Sequence, residues 1–397
     1  MYKVAFLISH PIQYFSPFFR EAAACPDIDL TVYYCSREGH EVFHDKGFAR
    51  PVKWDTPLIE GYRSIFLRNY NPFGGINRGF IGLINIGLVR ELAKGQYDLL
   101  FVHGWSSFSS WLAFLTAAFL GTPFVVRGES PLDQELIKRR WKISLKRATL
   151  GLVFKKMHAA MAIGTKNAGF YRYYDVPENK IRLMPYAVNN SFFMKMASCL
   201  KGRKNELRRK YGLPENKAIV NFTGKLSEKK RPLDLLRAYA AVKAPDKALI
   251  FVGDGSLSGD LRSFAEREKI MDVYFMDFIN QSAISELYAL SDIFVLPSGV
   301  GETWGLVVNE AMCFGLPVII SDMVGCGSDL VKHGESGYIF RHGDIVQLTK
   351  NLETLIGDPC LRTKMGGRSI EIIAGWSYKE DLKAILTTQE CKTAKKI

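Results

Sequence analysis

Two glutamates and two lysines in the C-terminal half have the types and spacing to hold a hydroxyl-rich molecule around an anionic centre. Glu302 and Glu310 stand with seven residues between them in LPSGVGETWGLVVNEAMCFGLPVIIS, Leu296 to Ser321, and Gly305 lies between them. Carboxylates accept hydrogen bonds from hydroxyl groups. A loop running into a helix start offers unpaired backbone N–H groups where an anion can sit, and a glycine there lets a bulky ligand approach. Upstream, Lys225 and Lys230 follow Gly224 between an apolar run and a helix-like run, where ammonium groups can reach a diphosphate. A nucleotide sugar has hydroxylated ends and a charged middle. The plainer alternative makes Glu302 a solvated loop charge, Glu310 a surface helix residue and the lysines a basic turn.

A second set lies in the N-terminal half. His103 and the run Arg127-Gly128-Glu129-Ser130 each follow directly after an apolar stretch. There His103 can hydrogen-bond a substrate, Glu129 can serve as a base and Arg127 can meet phosphate charge. Arg127 and Glu129 can equally be a structural ion pair. His10, Gln13 and Tyr14 follow the first apolar run, Tyr2 to Ser9. His10, placed before a proline, is either a polar group of a site or a structural cap.

These residues need strands that end where they begin. Apolar runs at residues 4–8, 30–34, 99–102, 123–126, 161–163, 218–222, 248–252, 273–276, 293–296 and 318–320 read as buried parallel strands, separated by stretches with helical spacing. The alternation predicts an α/β fold with doubly wound parallel sheets, whose ligands sit beyond the carboxyl ends of the strands. At 397 residues the chain exceeds one ordinary core. The expected division is an N-terminal Rossmann-like domain over 1–193 and an interdomain connection over 194–217, rich in basic and polar residues, with a short helix in its later part. A C-terminal Rossmann-like domain over 218–375 and a terminal helix and tail over 376–397 follow, the helix packing back towards the first domain. Phe80 to Ala93 is expected as one helix.

The pattern Glu302-x7-Glu310, followed by Ala311-Met312 and Gly315-Leu316-Pro317, resembles the donor-site motif of family 4 glycosyltransferases, retaining enzymes of the GT-B fold. The resemblance extends over most of the C-terminal half. It implies two Rossmann-like domains facing across a cleft and a nucleotide-sugar donor, UDP- or GDP-linked, as substrate, with no other cofactor. By the family register Glu310 holds ribose hydroxyls and Glu302 the donor sugar. Lys225 stands where an Arg is common and, with Lys230, grips the diphosphate. Thr303, Trp304, Gly305, Leu306, Gly253 and Phe278 complete the donor side. The glycine-rich loop common after the first strand is absent, and the histidine many members carry in the second half-site is replaced by Arg127 to Ser130. The resemblance implies a glycan or polyprenyl-diphosphate-linked acceptor, as in bacterial surface polysaccharide assembly (LPS, capsule or exopolysaccharide). A sugar-nucleotide epimerase on the same fold, or a non-catalytic sugar or polyanion binder, are the alternatives.

Composition bounds the rest. Hydrophobic residues make up 47% and charged residues 23%, as in a globular enzyme. The most apolar run, Trp111 to Leu120, is half of the roughly 20 residues a membrane span requires. Seven cysteines form no CxxC pair, and no DxD pair follows a strand, so no metal site is expected. A cytoplasmic location, peripheral on the inner face of the plasma membrane, is expected. The net charge of +13 implies a polyanionic partner or surface. Its densest source, Lys138 to Lys156, interleaves basic residues with Trp141, Ile143, Leu145, Leu150, Val153 and Phe154. That suits an anionic membrane surface, or else a basic helix whose apolar side is core. No nucleic-acid signature is present.

Overall fold

The computed structural model describes residues 1–40, 43–45, 50–52 and 54–393. The chain divides into two compact units. Unit 1 comprises Met1–Phe43, Thr56–Tyr186 and Tyr378–Ile397, and unit 2 comprises His44–Asp55 and Ala187–Ser377.

Among the described residues, nine of the fifteen strands precede residue 184: β1 (Tyr2–Ile8), β2 (Ile28–Tyr34), β3 (Phe43–Asp45), β4 (Arg50–Val52), β5 (Arg63–Phe66), β6 (Leu99–His103), β7 (Phe124–Arg127), β8 (Ala159–Ala162) and β9 (Ile181–Leu183). β3 and β4 form a separate two-stranded sheet. The others build the sheet of unit 1 in the order β5-β2-β1-β6-β7-β8-β9, every neighbouring pair parallel. The central strands are apolar on both faces because helices cover both. Phe6 of β1 stacks on Phe101 of β6, ring centroids 4.2 Å apart, and meets Phe19 of the helix Ser16–Ala24 edge-on. The helix Phe108–Leu120 starts where the Ser107 side chain accepts from the Ser110 amide. The strand order reverses between β1 and β6, so the chain leaves those two strand ends in opposite directions and opens a crevice above them.

The main sheet of unit 2 contains β10 (Ala218–Thr223), β11 (Lys247–Val252), β12 (Val273–Met276), β13 (Ile293–Leu296), β14 (Val318–Ser321) and β15 (Gly337–Phe340). They lie parallel in the order β12-β11-β10-β13-β14-β15. Here the reversal falls between β10 and β13. Buried Asn221 of β10 donates to the Leu287 carbonyl and to Ser291, and accepts from Thr223, so this polar residue is satisfied inside the core.

Three expectations need correction. Phe80 to Ala93 is not one helix: a short 3-10 turn, Phe80–Gly82, is followed by a helix only from Leu88 to Gly95. Between them the buried Asn85 amide donates to the carbonyls of Cys35, Leu67 and Arg68, a role that requires non-helical chain. Residues 194–217 are not a connection, because the unit boundary falls at residue 187 and this stretch belongs to unit 2. It contains most of the helix Asn190–Cys199 and all of Lys204–Lys210, and buried Arg208 donates to Asp292, the Leu290 carbonyl and the carbonyls of Glu215 and Lys217. Finally, β2 begins at Ile28, two residues ahead of the apolar run at 30–34, so Asp29 lies in the strand opposite Lys3.

Candidate functional site

In unit 2 the two strands at the reversal carry the acidic and basic residues to one place. β10 is followed by Gly224-Lys225, and Lys230 reaches back from the turn Glu228–Lys230, its Cε 3.9 Å from where a Gly224 side chain would begin. β13 ends in the loop that carries Glu302. Lys230 Nζ lies 2.6 Å from Glu302 Oε2, and Lys229 Nζ lies 4.0 Å from Oε1. Ser298 donates to Glu302 Oε2 at 3.0 Å, and Ser321 donates to the Ser298 carbonyl. Glu302 is 5% exposed. Burial raises the proton affinity of its carboxyl, but Lys230, Lys229 and Ser298 more than offset this and hold it below the usual range. The site thus contains a buried, ionised carboxylate clamped by an ammonium group.

Glu310 sits in the helix Leu306–Cys313 and accepts from the hydroxyl of fully buried Tyr288 at 2.7 Å. Burial pushes its carboxyl up to about 7, the Tyr288 hydrogen bond offsetting a part. One oxygen of a carboxylate can still accept from a vicinal pair of hydroxyls, and this one changes charge near neutrality.

The glycines have packing reasons. Gly253 (φ +133°) follows β11, and a Cβ there would come within 2.1 Å of the Gly224 carbonyl oxygen. The two strand-end loops therefore touch backbone to backbone. Gly305 (φ +98°) precedes the helix, where a Cβ would lie 2.9 Å from Leu296 and 3.0 Å from Val324. The tight helix entry, rather than access for a ligand, accounts for this glycine. Trp304 is buried, donates to Asn309 and packs on Trp376 at 5.4 Å, so its side chain belongs to the core and its main chain faces the loop. Gly325 approaches the Thr303 carbonyl closely, and Cys326 donates its amide to the Trp304 carbonyl. Phe278 meets Trp54 edge to face at 5.9 Å. Leu306 opens the helix and Lys225 opens the turn after β10.

In unit 1, β6 and β7 are in register so that His103 faces Arg127. His103 Nε2 lies 3.0 Å from Glu129 Oε1. Burial would raise the Glu129 carboxyl, but His103, the Tyr186 hydroxyl and the Arg127 charge hold it below its ordinary value. An ionised Glu129 can only accept, so the proton of this hydrogen bond belongs to His103 Nε2. The two side chains line a cavity of about 330 Å³ with Ser9, Ser106, Ser107, Ser110 and Ser130, while Leu7, Ile76 and Leu83 supply an apolar wall. Hydroxyls and an apolar face suit a sugar ring.

The remaining expected residues of this unit have other partners. Arg127 is 2% exposed. Its guanidinium donates to the Pro185 carbonyl at 3.2 Å, lies over the rings of Phe15 and Tyr186, and stands 3.8 Å from Asp381. Enclosed in this way, it supports Glu129 from behind, although it also lines the cavity beside His103 and Glu129. His10 Nδ1 pairs with Ser9 Oγ at 2.8 Å, and burial pushes its ring down to about 4, against the pull of Glu38, leaving a neutral imidazole. Gln13 is half-buried, and its Oε1 has no hydrogen-bond partner. Ser298, Tyr288, Tyr186 and Asp381 were not anticipated. Ser298 follows a strand and carried a readable signal; the other three come from distant segments.

Of the helix Arg140–Lys156, the positions Leu150, Val153 and Phe154 are buried core. Trp141, Leu145 and Leu152 are exposed, as are Leu136 and Ile137 ahead of it. Lys146 is spent inside the unit on Glu135, at 2.7 Å, and on the Phe170 ring.

Residues 203–371 match the family model of the glycosyl transferases group 1. This stretch, less than half of the chain, is similar to a group 1 glycosyltransferase domain. It is 27% identical over 306 residues, 74% of this chain and 75% of the relative, to the UDP-Gal:alpha-D-GlcNAc-diphosphoundecaprenol alpha-1,3-galactosyltransferase of Escherichia coli. It is 31% identical over 191 residues to the sulfoquinovosyl transferase of Arabidopsis thaliana, 47% of this chain but only 35% of that enzyme's length. An Anabaena protein solved with UDP and glucose superposes with a TM-score of 0.71 at 17% identity, covering 98% of this chain and 100% of its own. The fold of the chain is GT-B, with both α/β units represented in the likeness.

Proposed function

We propose that the protein transfers a sugar, with retention of configuration, from a nucleoside-diphosphate donor held by unit 2 to a hydroxyl of a glycan or lipid-linked glycan held by unit 1. The observation that carries this reading is the Lys230–Glu302 pair at the reversal of the unit 2 sheet, an ammonium beside a buried carboxylate. In the reading, Lys230 and Lys225 meet the charge of the diphosphate as it departs, without a divalent cation. Glu302 accepts from the donor sugar and Glu310 from the ribose. With Lys230 drawn to the diphosphate, Ser298 and the sugar hydroxyls remain to satisfy Glu302. His103 and Glu129 then orient the acceptor hydroxyl, and the leaving diphosphate assists its deprotonation. A UDP-linked donor is favoured by the UDP bound in the Anabaena protein and by the name of the Escherichia coli relative.

That relative's diphosphoundecaprenol acceptor also supports a lipid-presented substrate and a place in bacterial surface polysaccharide assembly. The exposed run Leu136, Ile137, Trp141, Leu145 and Leu152, set among Arg139, Arg140 and Lys142, supplies a surface for an anionic membrane on the cytoplasmic side. No helix among the described residues is long and apolar enough to cross a membrane.

The test is thermal stabilisation by a panel of nucleoside diphosphates and nucleotide sugars, on the wild type and on Glu310→Ala. A rise in melting temperature with one base, lost in the variant, supports the donor site. No rise with any of them sinks the transferase reading. Conversion of a nucleotide sugar without any acceptor would favour an epimerase instead.

A further inference from the structure

The terminal helix, Tyr378–Thr393, belongs to unit 1 and is tied to it by two hydroxyl contacts. Tyr378 donates to the Tyr14 carbonyl at 2.8 Å, and Thr388 lies 3.2 Å from the Tyr2 hydroxyl. Between them the first turn places Asp381 in the interior, 2% exposed. Asp381 Oδ1 faces Arg127 Nη1 at 3.8 Å, close enough for charge attraction but too far for a hydrogen bond. Neither Asp381 Oδ1 nor Arg127 Nε has any hydrogen-bond partner, although both are buried. An ion pair left open in this way is short of its best geometry, since buried charges ordinarily take every donor within reach. Arg127 has a second carboxylate to serve. It is among the charges acting on Glu129, which in turn accepts from His103.

We propose that Asp381 is a positioning residue: from the terminal helix it shares the Arg127 guanidinium with Glu129, and so sets how firmly Glu129 holds the His103 ring. The proposal rests on the reading of His103 and Glu129 as the acceptor-orienting pair, and adds to it a residue 252 positions downstream of Glu129. When Asp381 carries a negative charge, Arg127 turns towards it, and Glu129 is left to His103. When Asp381 holds a proton, Arg127 leans on Glu129 and loosens that hydrogen bond. The charged and titratable groups around Asp381 are Arg127 from β7, Glu21 and Arg20 from the helix Ser16–Ala24, and Tyr378, Lys379 and Glu380 from its own helix. Burial pushes the Asp381 carboxyl up to about 8, against the pull of Arg127, with Glu380 and Glu21 adding to the rise. The exchange between the two states therefore falls within reach of solution measurements.

The experiment follows the His103 Nε2–H resonance in full-length protein labelled with ¹⁵N-histidine, assigned by its loss in His103→Gln, and needs neither donor nor acceptor. Between about pH 7 and about pH 9 the resonance of the wild type is expected to move downfield as the hydrogen bond to Glu129 tightens, whereas in Asp381→Asn it does not. A wild-type resonance that stays in place over this range overturns the proposal, and so does an equal movement in both proteins. Should Asp381→Asn not fold, Arg127→Lys takes its place: loss of the response supports the shared guanidinium, and its retention refutes it. Because no substrate is used, failure of the transferase reading in the nucleotide panel leaves this result interpretable, and the reverse also holds.

Discussion

Replacing Lys230 by Met removes the ammonium from Glu302 while keeping most of the volume of the side chain. Breaking a buried pair from one side costs about 3–5 kcal/mol, because it strands the other charge. Here the Ser298 hydrogen bond remains and Lys229 stands 4.0 Å away, so the expected loss lies near the lower end, about 3 kcal/mol in alkaline solution. The sign with pH follows from Glu302. In the wild type its carboxyl lies below the ordinary 4.5, so its contribution to stability is present above that pH and lost as the pH falls through the folded value. In Lys230→Met burial prevails and the carboxyl moves above 4.5, so the stability of the variant falls as the pH rises. The gap between the two stability curves should therefore be widest towards about pH 8 and close only as the pH falls through the folded value of the wild-type carboxyl, below 4.5. Urea unfolding followed by tryptophan fluorescence measures this, with the Trp304–Trp376 pair reporting on unit 2. Adding Glu302→Gln to Lys230→Met should recover much of the loss, and the double-mutant cycle isolates the pair. A loss below about 1 kcal/mol, or one that is the same at every pH, would refute the claim that Lys230 neutralises a buried carboxylate.

Glu310, with its carboxyl near 7, should bind a nucleotide more tightly as the pH rises through that value, because the ionised form is the better acceptor. Calorimetric titration should show this slope vanish in Glu310→Gln. Gly253→Ala drives a methyl group into the Gly224 carbonyl, 2.1 Å away, and should cost about 2 kcal/mol or more, read as a lower urea midpoint. Trp141→Glu with Leu145→Glu should leave the melting temperature within about 1 °C, because both side chains are exposed, while abolishing sedimentation with anionic vesicles. Unchanged vesicle binding would remove this face from consideration.

Much of the sheet architecture was legible because parallel strands buried on both faces read as unbroken apolar runs: LLFVH before Gly104 and IFVL before Pro297 are examples. Once each run was taken to its carboxyl end, His103, Glu129, Lys230 and Glu302 followed as candidates, and the fold brings them together in two pairs. The helix expected over Phe80 to Ala93 was missed because apolar spacing says nothing about where an asparagine amide is needed, and Asn85 is needed by three carbonyls. Residues 194–217 read as a connection, short helix included, because their charges look solvated in sequence, whereas Arg208 is buried by partners more than 80 residues away. Arg127 was placed correctly at a strand end, but its surroundings come from Phe15, Tyr186 and Asp381, which no local pattern links to it.

The backbone contact between Gly224 and Gly253 bears on how this site can change over evolutionary time. Any side chain at residue 253 meets a carbonyl oxygen and not another side chain, so no smaller residue at 224 makes room for it. Compensation would require two strand ends, joined by the Gly224 and Gly253 amides to β11 and β12, to separate together. No single substitution leads there. Variation in the ligand is therefore confined to the walls of the site, Lys225 and the loop around Glu302, while the floor beneath them is inherited unchanged or lost with the fold.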